Sequence, residues 1–470
     1  MKPDENQNIV PESNPSVVTS SQPPITGDST QPSPVSATSP QPQVKKSRKK
    51  LVTIALVVVI VIVGTAFAAY FIHKHDTKKI NSEQTKSVTV TTPKQTTPVT
   101  PASWSIVNTP NETSATTNEL NGLSCLTSSD CIAVGYYNLS NSTGDKTLAE
   151  AWNGSSWNIV SSPNISSSDG DQLNSVYCTS SSNCWAVGGG EGYGTPAVIE
   201  QWNGSSWNLE TSGVASVGDL LSVTCTSSSN CWAVGDANQS YSSFASLVEH
   251  WNGSRWSTTS IPKSNQGNLE SVTCVTSSDC WVVGDNNTGD GSTSLIEQWN
   301  GSAWSAVTTQ NPNSYENAFL GIECTSSSSC MAVGLSNGTT ATNYIVTSWN
   351  GSAWQDNTNN NPSGISSVGP QAITCITSSD CWIVGVQSVT QGAAPTLIAL
   401  LALHWNGSSW TNSTSLTTPP APTGGPQSDP APPALSAISC TKTNYCMAVG
   451  SYTNKSNGNQ ETLAELYSSQ

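Results

Sequence analysis

The 470-residue sequence is poor in charge: Asp, Glu, Lys and Arg make up 10% of it, and it holds only 4 Phe and 3 Met. That usage argues against a helical enzyme, whose helices would draw on Ala, Leu, Glu and Lys. Cations are scarcest where most of the chain lies. Residues 101–470 hold 5 Lys/Arg against 25 Asp/Glu, whereas residues 1–100 hold 11 against 6. A body carrying a net charge of −20 repels phosphate backbones, so no nucleic acid is expected as a partner. Arg255 is the only arginine after residue 100, so no group of guanidiniums can clamp a carboxylate or phosphate there. The sequence also lacks a G-K-[ST] phosphate loop and an H-E-x-x-H zinc helix. No cofactor and no metal is expected. What is abundant is Gly (35), Pro (27) and Trp (17), the usage of an all-β protein with many tight turns.

The one long apolar run, Leu51 to Ile72, spans 22 residues without a charge. As a helix it reaches about 33 Å, enough to cross a ~30 Å hydrocarbon core. Ala66-Phe67-Ala68 resembles a signal-peptide cleavage site, but the preceding region is too long and the apolar run continues past it. The run is therefore read as a transmembrane helix over 51–72. Lys45, Lys46, Arg48, Lys49 and Lys50 precede it, which favours a cytoplasmic N-terminus. Residues 1–50 read as a disordered Pro/Ser/Gln-rich tail with a basic end, and 73–100 as a Thr/Pro-rich stalk.

Residues 101–470 are one unit repeated. C-x5-C occurs seven times: Cys125/Cys131, Cys178/Cys184, Cys225/Cys231, Cys274/Cys280, Cys324/Cys330, Cys375/Cys381 and Cys440/Cys446. The period near 50 residues is that of a propeller blade. Each unit predicts four short strands. Strand a is L-x-[SGA]-[VIL]-x-C. Strand b starts at the second cysteine and carries a recurring Val-Gly. Strand c is L-x-E-x-W, and strand d opens at the second Trp of W-N-G-S-x-W. The seventh unit stops at Tyr467 without a strand d, and Ser103-Trp104-Ser105-Ile106-Val107 at the other end supplies one. The sequence thus predicts an all-β, seven-bladed β-propeller of four-stranded antiparallel blades, one blade closed by both chain termini, after a single transmembrane helix. Small residues at the third position of strand a (Gly122, Ser175, Ser222, Ser271, Gly321, Ala372, Ala437) mark the crowded axis. Trp185, Trp232, Trp281 and Trp382 one strand further out fill the space between diverging blades.

Every cysteine lies in one of the seven pairs, each bracketing the turn between strands a and b. A hairpin places such residues opposite one another, so seven disulfides are expected, and with them an oxidising, extracytoplasmic compartment. Zinc sites usually use shorter C-x2–4-C spacing, and one pair per blade leaves ligands missing.

The segment L-x-E-x-W-N-G-S-x-W after an A-V-G strand resembles a kelch-type repeat, as does Ala464-Glu465-Leu466-Tyr467. Kelch units usually carry a Gly doublet after strand b, present here only as Gly188-Gly189, and lack the cysteine pair. The sequence is more similar to cysteine-paired propeller repeats, C-W-A-V-G with W-N-G-[ST]-x-W, of anchored or secreted bacterial proteins. That resemblance covers residues 101–470. It implies a propeller at a cell surface and, through kelch, an interaction domain more often than an enzyme. Arginine-triad sialidases share such a fold and are excluded by the single arginine.

What repeats is read as architecture, and what varies as function. The a–b and c–d turns are uniform and share one end of the ring. The b–c loops and d–a connections vary and share the other. That end is expected to carry Tyr136, Tyr137, Tyr193, Tyr241, Tyr315, Tyr344 and Tyr452, with Asp145, Glu191, Asp236, Asp285 and Asp290. Tyrosines on a rigid scaffold suit recognition of glycan or protein, and the other reading is that they pack the loops. Asp285 to Gly291 resembles a Ca²⁺ loop in imperfect register and is read as a turn. Glu150, Glu200, Glu249, Glu297 and Glu465 share one strand-c position and are read as acceptors between blades. His250 and His404, each before a strand-c Trp, are read as blade surface. The expected function is a membrane-anchored, non-enzymatic binding or adhesion module. The alternative is an extracellular carbohydrate-active enzyme with a carboxylate pair on the variable-loop end.

Overall fold

The computed structural model describes residues 101–469 except 141–143, 166–169, 191–194, 214–217, 241–242, 263–266, 288–290, 310–315, 338–341, 358–366, 390–396 and, between 414 and 431, all but Leu416 and Pro419. The expected tail, transmembrane helix and stalk lie outside the described residues, as do Tyr193, Tyr241, Tyr315, Glu191 and Asp290. Among the described residues every regular element is a β-strand, 28 in all, and no helix is long and apolar enough to cross a membrane.

The strands follow the repeat. In the unit holding Cys274, strand a is Leu269–Thr276, b is Asp279–Asn287, c is Ser292–Trp299 and d is Trp304–Ala306, each antiparallel to the next. The seven innermost strands are Ala115–Thr127, Asp171–Ser180, Asp219–Ser227, Leu269–Thr276, Glu316–Ser326, Ser367–Thr377 and Ala434–Lys442. Each packs on the next and the last on the first, closing a ring. Closure uses both ends of the chain: Ser103–Val107 pairs with Gln460–Ser468, Trp104 opposite Tyr467.

The hydrogen-bonded sheets number five, not the seven separate blades expected. Three hold four strands and two hold eight. Single parallel bridges, Thr117 to Gln460 and Ser292 to Glu316, each fuse two adjacent four-stranded units. They form because the innermost strands starting at Ala115 and Glu316 begin early enough to reach strand c of the neighbouring unit.

The core lies between units. Trp185, Val187 and Ile199 of one unit pack on Leu220, Val223, Leu247, Trp251 and Trp256 of the next. The strand-b tryptophans Trp185, Trp232, Trp281 and Trp382 are fully or nearly fully buried. Each meets a strand-d Trp edge-on, at ring separations of 5.1 to 5.4 Å (Trp256, Trp304, Trp354 and Trp104 respectively). Such T-shaped pairs direct the positive edge of one ring at the negative face of the other. Serine hydroxyls stitch the innermost strands across units. Ser175, Ser222 and Ser271 accept the backbone N–H of Val223, Val272 and Ile322.

All seven disulfides are formed, and no cysteine is free. Their placement corrects one expectation. The pairs do not simply bracket a surface turn, because the second cysteine is a core residue: Cys131, Cys184, Cys231 and Cys280 are at most 1% exposed. The reason is register. Each stands on strand b with its disulfide partner opposite on strand a and a tryptophan opposite on strand c: Trp152, Trp202, Trp251 and Trp299 respectively. The cysteine is therefore enclosed on both sides, and the disulfide is part of the packing as well as a clamp on the turn.

The cysteine-bearing turn is also pinned by the first Trp of each W-N-G-S-x-W, whose indole N–H donates to a turn carbonyl at 3.0 to 3.3 Å in all six copies. The Asn-Gly hairpin differs from expectation in one respect: only the glycine takes positive φ, as at Gly154 (+92°). Asn153 instead turns its side-chain oxygen to the N–H groups of Ser155 and Ser156, making a four-residue loop between paired Trp152 and Trp157.

Candidate functional site

Strand a carries a β-bulge at the same place in every unit, between the apolar residue and the small one. The bulge explains the recurring Val-Gly of strand b. A Cβ on Gly284 would stand 2.0 Å from the Asn268 carbonyl oxygen, and on Gly135 1.9 Å from that of Glu119. The extra residue of each bulge (Asn121, Asn174, Leu221, Glu270, Leu320, Gln371, Ser436) lines a central channel of about 160 Å³, together with the small residues beside it. The axis marked by small residues in the sequence is thus this channel. Its closeness is measured at Gly122, where a Cβ would come within 2.8 Å of Ser175 Cα. A channel closed by seven innermost strands, with four-stranded units radiating from it, identifies the architecture. The chain is an all-β propeller.

Bulges re-aim side chains, and here they gather polar groups at the variable end of the channel. Asn174 donates to Asp219 Oδ1 at 2.8 Å and to the Leu220 carbonyl at 3.1 Å. Asp219 stands directly opposite Asp236 in the register of strands a and b, where side chains lie about 5 Å apart and like charges repel. Glu270 occupies the bulge of the next innermost strand, and Asp285 follows Gly284, the partner of Leu269. Burial raises the Glu270 carboxyl to about 7, with Asp285, Asp236 and Asp219 adding to the shift. Burial and then Asp236 raise Asp219 to about 7 against the Asn174 hydrogen bond, and burial raises Asp236 to about 6. Asp236 is 6% exposed and its Oδ1 has no hydrogen-bond partner. No Lys, Arg or His lines the channel among the described residues. Arg255 sits at the other end, in the exposed turn between Trp251 and Trp256.

The described tyrosines are engaged locally. Tyr136 donates to Glu119 at 3.0 Å and Tyr452 to Glu461 at 2.9 Å. Tyr137 packs half-buried beside Leu120 and Leu148, and Tyr344 is buried. Asp145 is buried and accepts from Asn138 and Gln172. A second cavity, about 520 Å³, lies against the closing strand and is lined by Ile106, Val107, Tyr452, Lys455, Glu461 and Leu463 among others. Burial would raise Glu461, but hydrogen bonds from Asn457, Asn454 and Tyr452 outweigh it and hold the carboxyl below its usual range.

The disulfides stand apart from the channel mouth. Cys131, Cys184, Cys231 and Cys280 belong to the cores between units, with Trp157, Trp207, Trp256 and Trp304 respectively, and have no face open to a ligand. They are structural bonds and contribute no chemistry to the site.

The five strand-c glutamates are fully buried. Two accept from the preceding unit: Glu200 from the Ser162 hydroxyl at 2.8 and 2.9 Å, and Glu249 from the Ser212 hydroxyl and the Gly213 N–H. Neither oxygen of Glu150 has a partner, and burial raises its pKa well above the ordinary value. His250 and His404 stack on Trp232 and Trp382, and His404 meets Asp380 at 2.8 Å. Among the described residues no group of His, Cys, Asp and Glu is placed to hold a metal ion.

Asp236 and Asp285 were legible as candidates, whereas Asp219 and Glu270 were not. The signal that would have found Glu270 is the second position of strand a. It reads Asn, Asn, Leu, Glu, Leu, Gln and Ser around the ring, between positions that scarcely vary.

No protein-family model matches the chain, and no curated protein matches it by sequence. Among solved structures it is similar to YCF48 bound to D1 peptide, with 15% identity, a TM-score of 0.48, and coverage of 79% of this chain and 100% of that one. It is similar to YCF48 from Cyanidioschyzon merolae, with 14% identity, a TM-score of 0.47, and coverage of 78% and 99%. Trypanosoma rangeli sialidase in complex with sialic acid gives 10% identity, a TM-score of 0.41, and coverage of 77% and 58%.

Proposed function

We propose that this chain is a membrane-anchored, extracytoplasmic, seven-bladed propeller that binds a glycan or protein at its variable end without turning it over. The observation that carries this reading is the channel mouth. Asn174, Asp219, Asp236 and Glu270 gather there, at the end where connections differ between units, and Asp236 keeps an oxygen without a partner. A buried polar group left unpaired costs about 1–3 kcal/mol, a cost that a ligand able to satisfy it would relieve. Seven disulfides support an oxidising compartment, and the run 51–72 supports the anchor. The kelch-type resemblance supports interaction over catalysis. Tyr193 and Tyr241 belong to this recognition face in the proposal.

One observation favours a carbohydrate-active enzyme instead: Asp219 and Asp236 face each other, as the two carboxylates of a retaining glycosidase do. Acid–base division of labour needs environments that drive the two pKa values well apart. Here both are raised, to about 7 and about 6, so neither is fixed as the ionised partner.

The test is the full-length chain in mild detergent on arrays of glycans, cell-wall polymers and peptides, read for retained protein and for released sugar. Saturable retention, reduced by Tyr193→Ala with Tyr241→Ala, is expected. Released sugar would overturn the non-catalytic reading.

A further inference from the structure

The mouth has a charge problem that its own residues do not solve. Asp219 and Asp236 lie opposite each other, Glu270 projects from the adjoining bulge into the channel, and Asp285 flanks it. The one ion pair among the described residues, His404 with Asp380, belongs to another unit and to the blade surface. Lys442 is in the turn between Cys440 and Cys446, and Arg255 is in the turn after Trp251, both at the opposite end. The unpaired Oδ1 of the nearly buried Asp236 is the second, independent sign that something is to be received there.

The chemistry of that something follows by elimination. An anion is repelled. A bare metal ion needs several ligands converging on one point, and no such group exists among the described residues. A hydroxyl offers one donor and no charge. A guanidinium is a wide planar fork suited to one bidentate carboxylate. A primary ammonium is compact and presents three donors that diverge from one atom, matching carboxyls that come from different strands. Below the mouth the channel is narrow, about 160 Å³, lined by Gly122, Ser175, Ser222, Ser271, Gly321 and other small residues, and suits an unbranched chain.

We infer that the mouth formed by Asp219, Asp236, Glu270 and Asp285 receives a primary ammonium group carried on an unbranched aliphatic chain. This rests on the binding reading above and names the group that the ligand inserts. The same chemistry is offered by a lysine side chain of a bound protein and by a free aliphatic diamine. Binding strengthens as the carboxyls ionise. The titratable groups facing the site among the described residues are Asp219 and Asp236 of one unit and Glu270 and Asp285 of the next.

Calorimetric titration of the full-length chain with 1,5-diaminopentane, with a capped Gly-Gly-Lys-Gly-Gly peptide and with its N-acetyl-lysine counterpart tests this. Saturable binding of the diamine alone assigns a free amine, and of the peptide alone a protein lysine. Either supports the inference, provided the acetylated peptide does not bind. Asp236→Asn and Glu270→Gln should each weaken binding about tenfold or more, the loss of one charge-assisted hydrogen bond. Affinity should be greater at about pH 8 than at about pH 5.5. Both substitutions remove like-charge repulsion, so both variants should melt no lower than the parent, which separates lost binding from lost fold. Non-saturable heats from both amine probes, or equal affinity in parent and variants, overturn the inference. If they do so while the chain is still retained on the glycan or peptide array, the binding reading stands and only the ammonium group falls.

Discussion

At the scale of single residues, the strand-c glutamates separate a partnered buried charge from an orphan. Glu249 has the Ser212 hydroxyl and the Gly213 N–H, whereas Glu150 has neither oxygen satisfied. Replacing Glu150 by Met should therefore raise stability by about 1–3 kcal/mol near neutral pH, the usual cost of an unsatisfied buried group. The sign of the pH dependence follows from its raised pKa. Its contribution is fully present below the unfolded carboxyl pKa and is lost as pH rises, so the gain from Glu150→Met grows with pH. Glu249→Met should instead destabilise, because two donors lose their acceptor. Urea unfolding of both variants at acid and alkaline pH checks this, and a Glu150→Met variant weaker than the parent at every pH would contradict it.

At the scale of elements, the bulge in strand a and the glycine in strand b form one device. Gly284→Ala places a Cβ 2.0 Å from a carbonyl oxygen, so the strand pair must separate. Gly458 has positive φ (+77°) but nothing within 4 Å of a built Cβ. Gly458→Ala should cost about 1–2 kcal/mol, the strain of a left-handed backbone, and Gly284→Ala clearly more. Equal melting temperatures for the two variants would show that the bulge does not impose the glycine. The sequence made the strands, the a–b cysteine pairs and the end-to-end closure legible, because each leaves a periodic chemical mark. It did not show that Cys131, Cys184, Cys231 and Cys280 lie in the core, because that depends on the tryptophan opposite each of them across strands b and c. Nor did it make the bulge legible, because a repeated glycine in a strand serves equally well for a turn, a kink or close packing. With the bulge hidden, Glu270 read as a strand residue and not as a group at the mouth of a channel. Asp219 was hidden for a related reason: it is the first residue of its strand, and only register shows that Asp236 faces it.

At the scale of the whole molecule, buried carboxyls set the pH response. Glu200 is raised to about 8, Asp219, Glu270 and Glu323 to about 7, and Asp236 to about 6, in each case first by burial. Every one of these groups contributes stability below its unfolded pKa and loses it as pH rises through the folded value. The propeller should therefore be more stable at about pH 5 than at about pH 8.5, opposite to a protein held by ionised salt bridges. His250, lowered by burial, works in the other sense, as one group against five. Thermal melting across this range checks the balance, and a rise in melting temperature with pH would contradict it.

The central claim is that the variable end of the channel, and not the disulfide end, is where the molecule meets its ligand. Hydrogen–deuterium exchange of the full-length chain, with and without a ligand retained on the arrays, reads this directly. The account predicts slowed exchange at the backbone amides around Asp219, Asp236 and Glu270, with the W-N-G-S turns unchanged. Protection confined to those turns, and none at the channel mouth, would contradict it.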